Sequence, residues 1–165
     1  MSVRMSILIF KSQFMANTYS QLYVQIVFAV KGRENLIKEE MREEVQKYIS
    51  GILREKNQKL LSIYCMPDHV HILTGIKPDI AISDLVRDIK TNSSSFIKTK
   101  SKLNFHWQTG FGAFSYSKSQ IRTVADYIDS QPLHHKNKSF RDEYLELLKE
   151  FEINYDEKYV FEMFD

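Results

Sequence analysis

The clearest pattern along the chain is an alternation of apolar and polar residues between Tyr19 and Val30. Successive side chains of an extended strand point to opposite faces, so this segment predicts a strand with one apolar face. Tyr23 and Gln25 lie on the other face. The residues of the apolar face are Leu22, Val24, Ile26, Phe28 and Val30.

Two longer segments have the apolar spacing of amphipathic helices. The first extends from Leu36 to about Lys56, and the second from Ile82 to Ile97. The stretch Asn92-Ser93-Ser94-Ser95 in the second helix is poor in helix formers, so we expect it to fray or bend. Between the helices, residues 59–66 and 69–76 predict two short strands.

The second half of the chain predicts one more strand and two more helices. Phe105 to Tyr116 is rich in aromatic residues and contains two glycines, which favours a strand with an irregular or bulged centre. Ser117 to Ser119 would cap the next helix, and Pro132 would stop or kink it. The last helix begins at Ser139, with Asp142 in the capping-box position.

The first six elements follow the order β-α-β-β-α-β, which is typical of a ferredoxin-like sandwich. This α+β fold has an antiparallel sheet with two helices on one face. The remaining helices would be C-terminal additions. In this arrangement the first and third strands are central neighbours.

The length of 165 residues fits one domain. A composition of 43% hydrophobic and 27% charged residues is that of a globular protein. Since Met15 precedes the first patterned segment, residues 1–14 are interpreted as an N-terminal extension and 15–154 as the domain. Residues 155–165 form a tail, which is aromatic enough to dock on its own chain or on a partner.

Charge and cysteine content limit the classes of function only loosely. A net charge of +2 permits nucleic-acid binding without requiring it. The single cysteine, Cys65, cannot form an internal disulfide, which fits a reducing compartment, and we expect a cytoplasmic protein. No apolar run in the sequence approaches the length of a membrane span.

Two residue pairs carry candidate chemistry. His69 and His71 are two apart on a predicted strand, so both imidazoles would project from one face and could bind one cation together with a third ligand. Tyr127 and Gln131 are four apart on a predicted helix, so a phenol and a carboxamide would lie on one face. Taken alone, strand histidines more often bind nothing, and a helical tyrosine more often only packs.

Several basic residues could contact phosphate, although a solvated role is equally compatible with the pattern. The candidate lysines are Lys90, Lys98, Lys100, Lys102, Lys136 and Lys138. His106, His134 and His135 are candidates for additional ligands or phosphate contacts. Exposed rings in the aromatic segment would suit stacking on unpaired bases.

Three segments in this order resemble a known family. They are Met66-Pro67-Asp68-His69-Val70-His71-Ile72-Leu73, Trp107-Gln108-Thr109-Gly110-Phe111 and Tyr127-Ile128-x-x-Gln131. Together they resemble the single-tyrosine transposases of the His-hydrophobe-His superfamily, which include relatives associated with repetitive extragenic palindromes. The similarity extends from about Thr18 to Lys138.

The resemblance implies an enzyme that cuts and rejoins single-stranded DNA at ends marked by a hairpin. Tyr127 would be the nucleophile and would form a 5′-phosphotyrosine. His69, His71 and Gln131 would hold a divalent metal, Mg²⁺ or Mn²⁺. The resemblance also implies a homodimer whose active site can be shared between subunits.

Two other classes of function stay open on the sequence. The domain could be a ferredoxin-like module that binds RNA or single-stranded DNA without catalysis, in which case Tyr127 would be dispensable. It could also be a metal-dependent phosphodiesterase that uses water and retains no DNA on the protein.

Overall fold

The computed structural model describes residues 18–162, and the predicted extension at residues 1–14 lies outside the described residues. The strands are β1 (Leu22–Ala29), β2 (Lys59–Cys65), β3 (His69–Ile76) and β4 (Gly112–Tyr116). The helices are α1 (Glu39–Glu55), α2 (Ile82–Lys100), α3 (Ile121–Asp129), α4 (Gln131–His134), α5 (Phe140–Glu150) and α6 (Glu157–Glu162). The predicted order of elements is therefore confirmed.

The four strands form one antiparallel sheet in the order β2-β3-β1-β4. As predicted, β1 and β3 are central neighbours. Their register places Ala29 opposite His69 and Val27 opposite His71. Because Ala29 and Val27 are small or medium-sized, they leave room above the sheet for the two imidazole rings.

One face of the sheet packs on α1 and α2, as a ferredoxin-like sandwich requires. The alternate residues of β1 and β3 that face these helices include Ile26, Phe28, Val70 and Ile72, all fully buried. Apolar residues of α1 and α2 complete this cluster: Met41, Val45, Ile49, Ile52, Leu53, Leu85, Val86, Ile89 and Ile97. This layer forms the larger core of the domain.

The C-terminal helices cover the opposite face. Val124 and Ile128 of α3 pack on Leu73 of β3. A second cluster joins α5 to β1 and β4 and consists of Val27, Ala29, Phe114, Phe140, Tyr144, Leu147, Leu148 and Val160. Both faces of the central strands are therefore buried, and the face that carries His69 and His71 lies beneath α3 and α5.

Helix α2 continues without interruption through the serine-rich stretch that was predicted to fray or bend. The hydroxyl of Ser93 donates to the carbonyl oxygen of Ile89 at 2.6 Å, and that of Ser95 donates to Thr91 at 3.1 Å. Ile97 is buried beyond this stretch. Tertiary packing therefore outweighs the low helix propensity, and the prediction that the helix frays here was wrong.

The predicted strand at residues 105–116 is shorter than expected. Only Gly112–Tyr116 pairs with β1, and Trp107 makes an isolated bridge to Val30. The intervening loop is held from α2, because Lys90 Nζ donates to the carbonyl oxygens of Gln108, at 2.8 Å, and Gly110. Gly110 has a φ of 84°, which favours glycine and ends regular strand geometry there.

Tyr127 and Gln131 do not share one continuous helix. Helix α3 ends at Asp129, and Gln131 begins the short helix α4. Pro132 occupies one of the first positions of α4, where its missing N–H costs no helical hydrogen bond. Pro132 therefore stops one helix and starts the next, which corrects the expectation that Gln131 follows Tyr127 on the same helix.

The C-terminal segment includes helix α6, and Val160 in it is 8% exposed within the cluster around Phe114. This part of the tail therefore docks on its own chain. Within residues 18–162, no helix combines the length and apolar character that a membrane crossing requires.

Candidate metal and tyrosine site

His69 and His71 project from the central strand β3 towards α3 and α5, and both are almost fully buried. Their ring centroids lie 5.2 Å apart. Nδ1 of His69 is 2.7 Å from Oδ1 of Asp68, which fixes the orientation of the ring and leaves Nε2 directed into the site. Burial lowers the pKa of His69, and the adjacent Asp68 carboxylate opposes this only in part, so the imidazole is neutral and can act as a ligand.

The other imidazole is held by polar groups of the neighbouring strands. The side-chain amide nitrogen of Gln25 on β1 lies 2.8 Å from Nδ1 of His71. The hydroxyl of Tyr116 on β4 donates in turn to Oε1 of Gln25, at 2.9 Å. Gln25 is only 1% exposed, so this chain of contacts fixes His71 from the interior of the sheet.

Tyr127 of α3 reaches the histidine pair of its own chain. Its ring centroid is 6.3 Å from that of His71. Its hydroxyl donates to Oε1 of Glu143 on α5, and the same oxygen lies 3.3 Å from Nε2 of His71. A phenol, a carboxylate and an imidazole therefore converge within one chain.

Gln131 and His135 enter the same site from α4 and its C-terminal cap. Oε1 of Gln131 is 3.5 Å from Nε2 of His69 and 2.9 Å from Nε2 of His135, and Nε2 of Gln131 donates to Oε1 of Glu143 at 2.9 Å. Nε2 of His135 lies 2.8 Å from Oε2 of Glu143. The α3–α4 break is what directs these side chains inward.

The site can hold a metal ion. One ligand atom each from His69, His71, His135 and Glu143 lies within 4.8 Å of the others. Nε2 of His71 and Oε2 of Glu143 are both buried. Among the described residues neither makes a hydrogen bond of good geometry, although Oε1 of Glu143 lies 3.3 Å from the first atom and Nε2 of His135 lies 2.8 Å from the second. Buried polar atoms without hydrogen bonds are rare, and a ligand is one explanation for them.

The pKa values of Glu143 and Tyr127 are shifted in opposite directions. Burial favours a raised pKa for Glu143, but polar interactions with His135, His71 and Tyr127 outweigh it and keep the pKa well below its ordinary value. Burial, followed by the Glu143 carboxylate, raises the pKa of Tyr127 well above its ordinary value. Burial also opposes protonation of His135, yet Glu143 raises its pKa overall. Glu143 is therefore ionised, and Tyr127 is protonated.

Helix α5 closes the histidine face. Phe140, at its first turn, stacks on His69 with 3.9 Å between ring centroids. Glu143 is 2% exposed and Gln131 is fully buried. A cavity of about 390 Å³ between α3 and α5 is lined by both Tyr127 and Glu143, and this groove is where the site meets the surface.

Glu143 was not predicted from the sequence, where it was read only as part of the last helix. Its position offers a signal in retrospect, since it lies three residues after Phe140 and four before Leu147 on the apolar stripe of α5. A charged residue in the middle of an apolar stripe indicates a buried partner. His135 was predicted only as one of three histidines that could add a ligand.

Comparison with known proteins identifies the family. The family model of IS200-like transposases matches residues 18–131. The chain belongs to the IS200-like transposases. This family is the single-tyrosine, His-hydrophobe-His group to which the sequence bears its resemblance, and its members cleave DNA and transfer strands.

Named relatives agree with this assignment. The transposase is 25% identical over 118 residues to the ISDra2 transposase TnpA of Deinococcus radiodurans, covering 67% of this chain and 84% of that one. It is 28% identical over 116 residues to the transposase of insertion sequence element IS200 from Salmonella typhimurium, covering 70% and 71%. The expected enzyme class, a DNA strand transferase, is therefore confirmed.

Solved structures share the fold of the transposase. A putative transposase from Deinococcus radiodurans matches with a TM-score of 0.58 and 20% identity, over 70% of this chain and 94% of that one. A REP-associated tyrosine transposase bound to a REP hairpin matches with a TM-score of 0.57 and 19% identity, over 72% and 71%. The predicted ferredoxin-like architecture is therefore confirmed.

The candidate lysines of the transposase lie in two groups rather than one. Lys90, Lys98, Lys100 and Lys102 lie on α2 or just after it, so they are on the opposite side of the sheet from the site. Burial lowers the pKa of Lys90 to about 8. Nζ of Lys100 lies 2.5 Å from Oε2 of Glu44.

The second group of lysines lies between α4 and α5, and Lys138 of this group is near Tyr127. Lys136 is exposed between α4 and α5. Lys138 pairs with Glu146 and lines the groove beside Tyr127. Of the other histidines, His106 is exposed beside Asn104, and His134 lies 3.0 Å from the Ser130 hydroxyl.

Proposed function

We propose that this transposase cuts and rejoins single-stranded DNA at hairpin-marked ends through a 5′-phosphotyrosine on Tyr127. The observation that supports the proposal is the convergence of the Tyr127 phenol with His69, His71 and Gln131 on one face of the sheet. Neither a plain binding module nor a phosphodiesterase that uses water has a use for a tyrosine hydroxyl at this point.

The proposed cleavage step exchanges one phosphate ester for another. The Tyr127 oxygen attacks the scissile phosphorus, a bond forms between them, and the bond from phosphorus to the 3′ oxygen breaks. The phenolic proton is lost and one proton ends on the released 3′ hydroxyl. Because a phosphodiester is retained on Tyr127, the reverse step with another 3′ hydroxyl joins strands without an external energy source.

His69, His71 and Gln131 would hold the divalent cation, Mg²⁺ or Mn²⁺. A cation bound there would neutralise charge on the phosphate and align it for in-line attack. The donors fit such an ion, since neutral imidazole and amide oxygen are ordinary ligands and Nε2 of His71 has no hydrogen bond among the described residues. Asp68 and Gln25 keep the two rings in place from behind.

The DNA would be an imperfect hairpin with flanking single strand. Support for a hairpin comes from the structural neighbour that was solved with one. Lys136 and Lys138 are close enough to the tyrosine side of the site to contact the flanking strand. Lys90, Lys98, Lys100 and Lys102 would contact phosphates at a distance from it, which makes binding salt-dependent.

We also infer a homodimer. One nucleophile in each chain suits one cut, and transposition requires two DNA ends to be cut. Each subunit of the dimer would use Tyr127 together with its own histidine pair, because the two already meet within one chain.

The test is covalent capture of DNA. Labelled hairpin DNA with a single-stranded flank is incubated with the protein and Mn²⁺, denatured, and separated by size. We expect label to migrate with the wild-type protein. Tyr127→Phe should abolish this band while DNA binding in a gel-shift assay changes little, and His69→Ala should lose it through the metal.

Tyr48→Phe is the matched control, because Tyr48 lies on α1, where it stacks on Phe96 away from the site. It should form as much adduct as the wild type. An adduct in the Tyr127→Phe protein would remove the nucleophile assignment. Cut DNA with no label on the protein would instead identify a phosphodiesterase that uses water, and binding without cutting would identify a non-catalytic module.

A further inference from the structure

We propose that Glu143 is an additional, anionic ligand of the metal at this site, supplied by helix α5. The inference rests on the proposed function, in which His69, His71 and Gln131 bind a divalent cation. It adds a residue from an element that the family model does not reach, since the match ends at residue 131. The carboxylate would join those three residues on the same ion.

The carboxylate of Glu143 faces both histidines of β3. Oε1 of Glu143 lies 3.3 Å from Nε2 of His71, and Oε2 lies 3.9 Å from Nε2 of His69. These are the two imidazole nitrogens that face away from Asp68 and Gln25 and towards the site. Gln131, whose oxygen is 3.5 Å from the same His69 nitrogen, completes the group.

Burial of the carboxylate supports a cation. Glu143 is 2% exposed, and an ionised carboxylate is costly to bury unless positive charge or several donors compensate it. Its Oε1 accepts hydrogen bonds from Tyr127 and Gln131. Within residues 18–162, neither its Oε2 nor Nε2 of His71 makes a hydrogen bond of good geometry, although Nε2 of His135 lies 2.8 Å from that Oε2. A cation between these two atoms would compensate both.

The chemistry of the ligand set gives a second reason. Two imidazoles and a carboxamide carry no negative charge, so on their own they would leave the full charge of a divalent ion uncompensated in a buried site. Mg²⁺ and Mn²⁺ prefer oxygen ligands, carboxylates above all. Four protein ligands would still leave room on such an ion for an oxygen of the phosphate.

Neighbouring groups orient the carboxylate for this role. Nε2 of Gln131 donates to Oε1 at 2.9 Å, and Nε2 of His135 lies 2.8 Å from Oε2. A half-turn of the Gln25 carboxamide would present its oxygen to Nδ1 of His71 and place the ring proton there, while its nitrogen would donate to the hydroxyl oxygen of Tyr116 in place of the present contact. Nε2 of His71 would then have a free lone pair for the metal.

The experiment measures metal binding without DNA. Mn²⁺ is titrated into wild-type protein and variants, free Mn²⁺ is followed by its EPR signal, and the rise of the melting temperature with Mn²⁺ is measured in parallel. We expect Glu143→Gln to weaken Mn²⁺ binding at least about tenfold and to reduce the thermal shift, because the residue is nearly isosteric but uncharged. His69→Ala should weaken binding similarly.

Glu146→Gln is the matched control, because Glu146 lies one turn further along α5 and is paired on the surface with Lys138. It should bind Mn²⁺ like the wild type. Equal affinity in Glu143→Gln and wild type, with binding lost in His69→Ala, would overturn the role of Glu143 and leave the proposed function standing. Tighter binding in Glu143→Gln would overturn it as well, since the carboxylate would then be blocking the site.

Two further outcomes separate the inference from the proposed function. If the wild type bound no Mn²⁺, both the metal in the proposed function and the role of Glu143 would fail. If Glu143→Gln did not fold, Glu143→Asp would replace it, because this variant keeps the charge and shortens the reach. It should bind Mn²⁺ more weakly than Glu146→Asp, and equal affinities would contradict the inference.

Discussion

The hydroxyl of Ser62 on β2 donates a 2.7 Å hydrogen bond to Oδ1 of Asp129 at the end of α3. Ser62 is only 7% exposed, whereas Asp129 is exposed, so the bond lies where α3 meets the edge strand. Apolar contacts also attach α3 to the sheet, because Ile128 of α3 packs with Leu73 of β3. The helix that carries Tyr127 is therefore fixed to the sheet that carries the histidines of the same chain.

This attachment predicts that the tyrosine acts within its own subunit. Tyr127→Phe and His69→Ala proteins, co-expressed with different tags so that mixed copies of the proposed dimer can be isolated, should give no covalent DNA adduct. Each chain would lack one half of its site, and the partner could not supply it. The measurement is the same denaturing separation of labelled DNA.

Wild-type protein co-expressed with either variant is the control, and its adduct should follow the amount of wild-type chain. Adduct formation by the mixture of the two variants would contradict the prediction. It would mean that α3 leaves its own sheet and serves the other subunit.

Because there is little space around Gly112 at the start of β4, we expect the single methyl group of alanine to reduce the stability of the fold. A Cβ there would lie 2.8 Å from Cε2 of Phe114 and 2.9 Å from Cε2 and the hydroxyl oxygen of Tyr144. Neither ring can move freely, because both belong to the buried cluster between α5 and the sheet. Gly112→Ala should lower the free energy of unfolding by about 1–3 kcal/mol, measured by urea denaturation.

Gly51→Ala is the comparison. Gly51 lies inside α1, and a Cβ there would meet nothing within 4 Å. Alanine should therefore raise the free energy of unfolding by about 0.5–1 kcal/mol, since it is the better helix former. Equal unfolding midpoints for the two variants would show that the β4–α5 packing is looser than described.

Much of the fold could be predicted because its signals are local. The alternation in Leu22–Ala29 and the helical spacing in Glu39–Glu55 each specify an element and the face that it buries. The His69-Val70-His71 motif could be placed on a strand for the same reason. The spacing of Tyr127 and Gln131 could place a phenol and a carboxamide together, and the family resemblance then supplied their expected roles.

The features of the fold and the site that the sequence did not predict depend on tertiary contacts. Side-chain hydrogen bonds and the burial of Ile97 keep α2 intact through its serines, and Lys90 holds the loop that replaces half of the expected strand. Glu143 enters the site only because α5 packs against the histidine face through Phe140. No spacing rule relates residues 69 and 143 across so many elements.

Burial of Cys65 predicts an unreactive thiol. Burial raises its pKa to about 12, an effect that Arg42 opposes only in part. At pH 8 only about one thiol in ten thousand would be ionised, and the thiolate is the reactive form. A disulfide reagent should therefore modify the native protein far more slowly than the urea-unfolded protein, as followed by absorbance. Equal rates would show that the sheet edge near Cys65 opens readily.

We expect two lysines on α2 to differ in role, one contributing to DNA affinity and the other to the stability of the fold. Lys98 is exposed near the end of the helix, whereas Lys90 donates to the carbonyl oxygens of Gln108 and Gly110. Lys98→Ala should weaken DNA binding at every sequence and reduce the slope of log affinity against log salt by about 0.7–0.9, the value for one phosphate contact. Its melting temperature should stay unchanged. Lys90→Met should instead lower the melting temperature, because the carbonyl groups that hold this loop to α2 lose their donor. Fluorescence anisotropy at several salt concentrations and thermal denaturation measure the two effects. An unchanged salt slope in Lys98→Ala would remove this side of α2 from the DNA path and leave Lys136 and Lys138 as the candidates for phosphate contact.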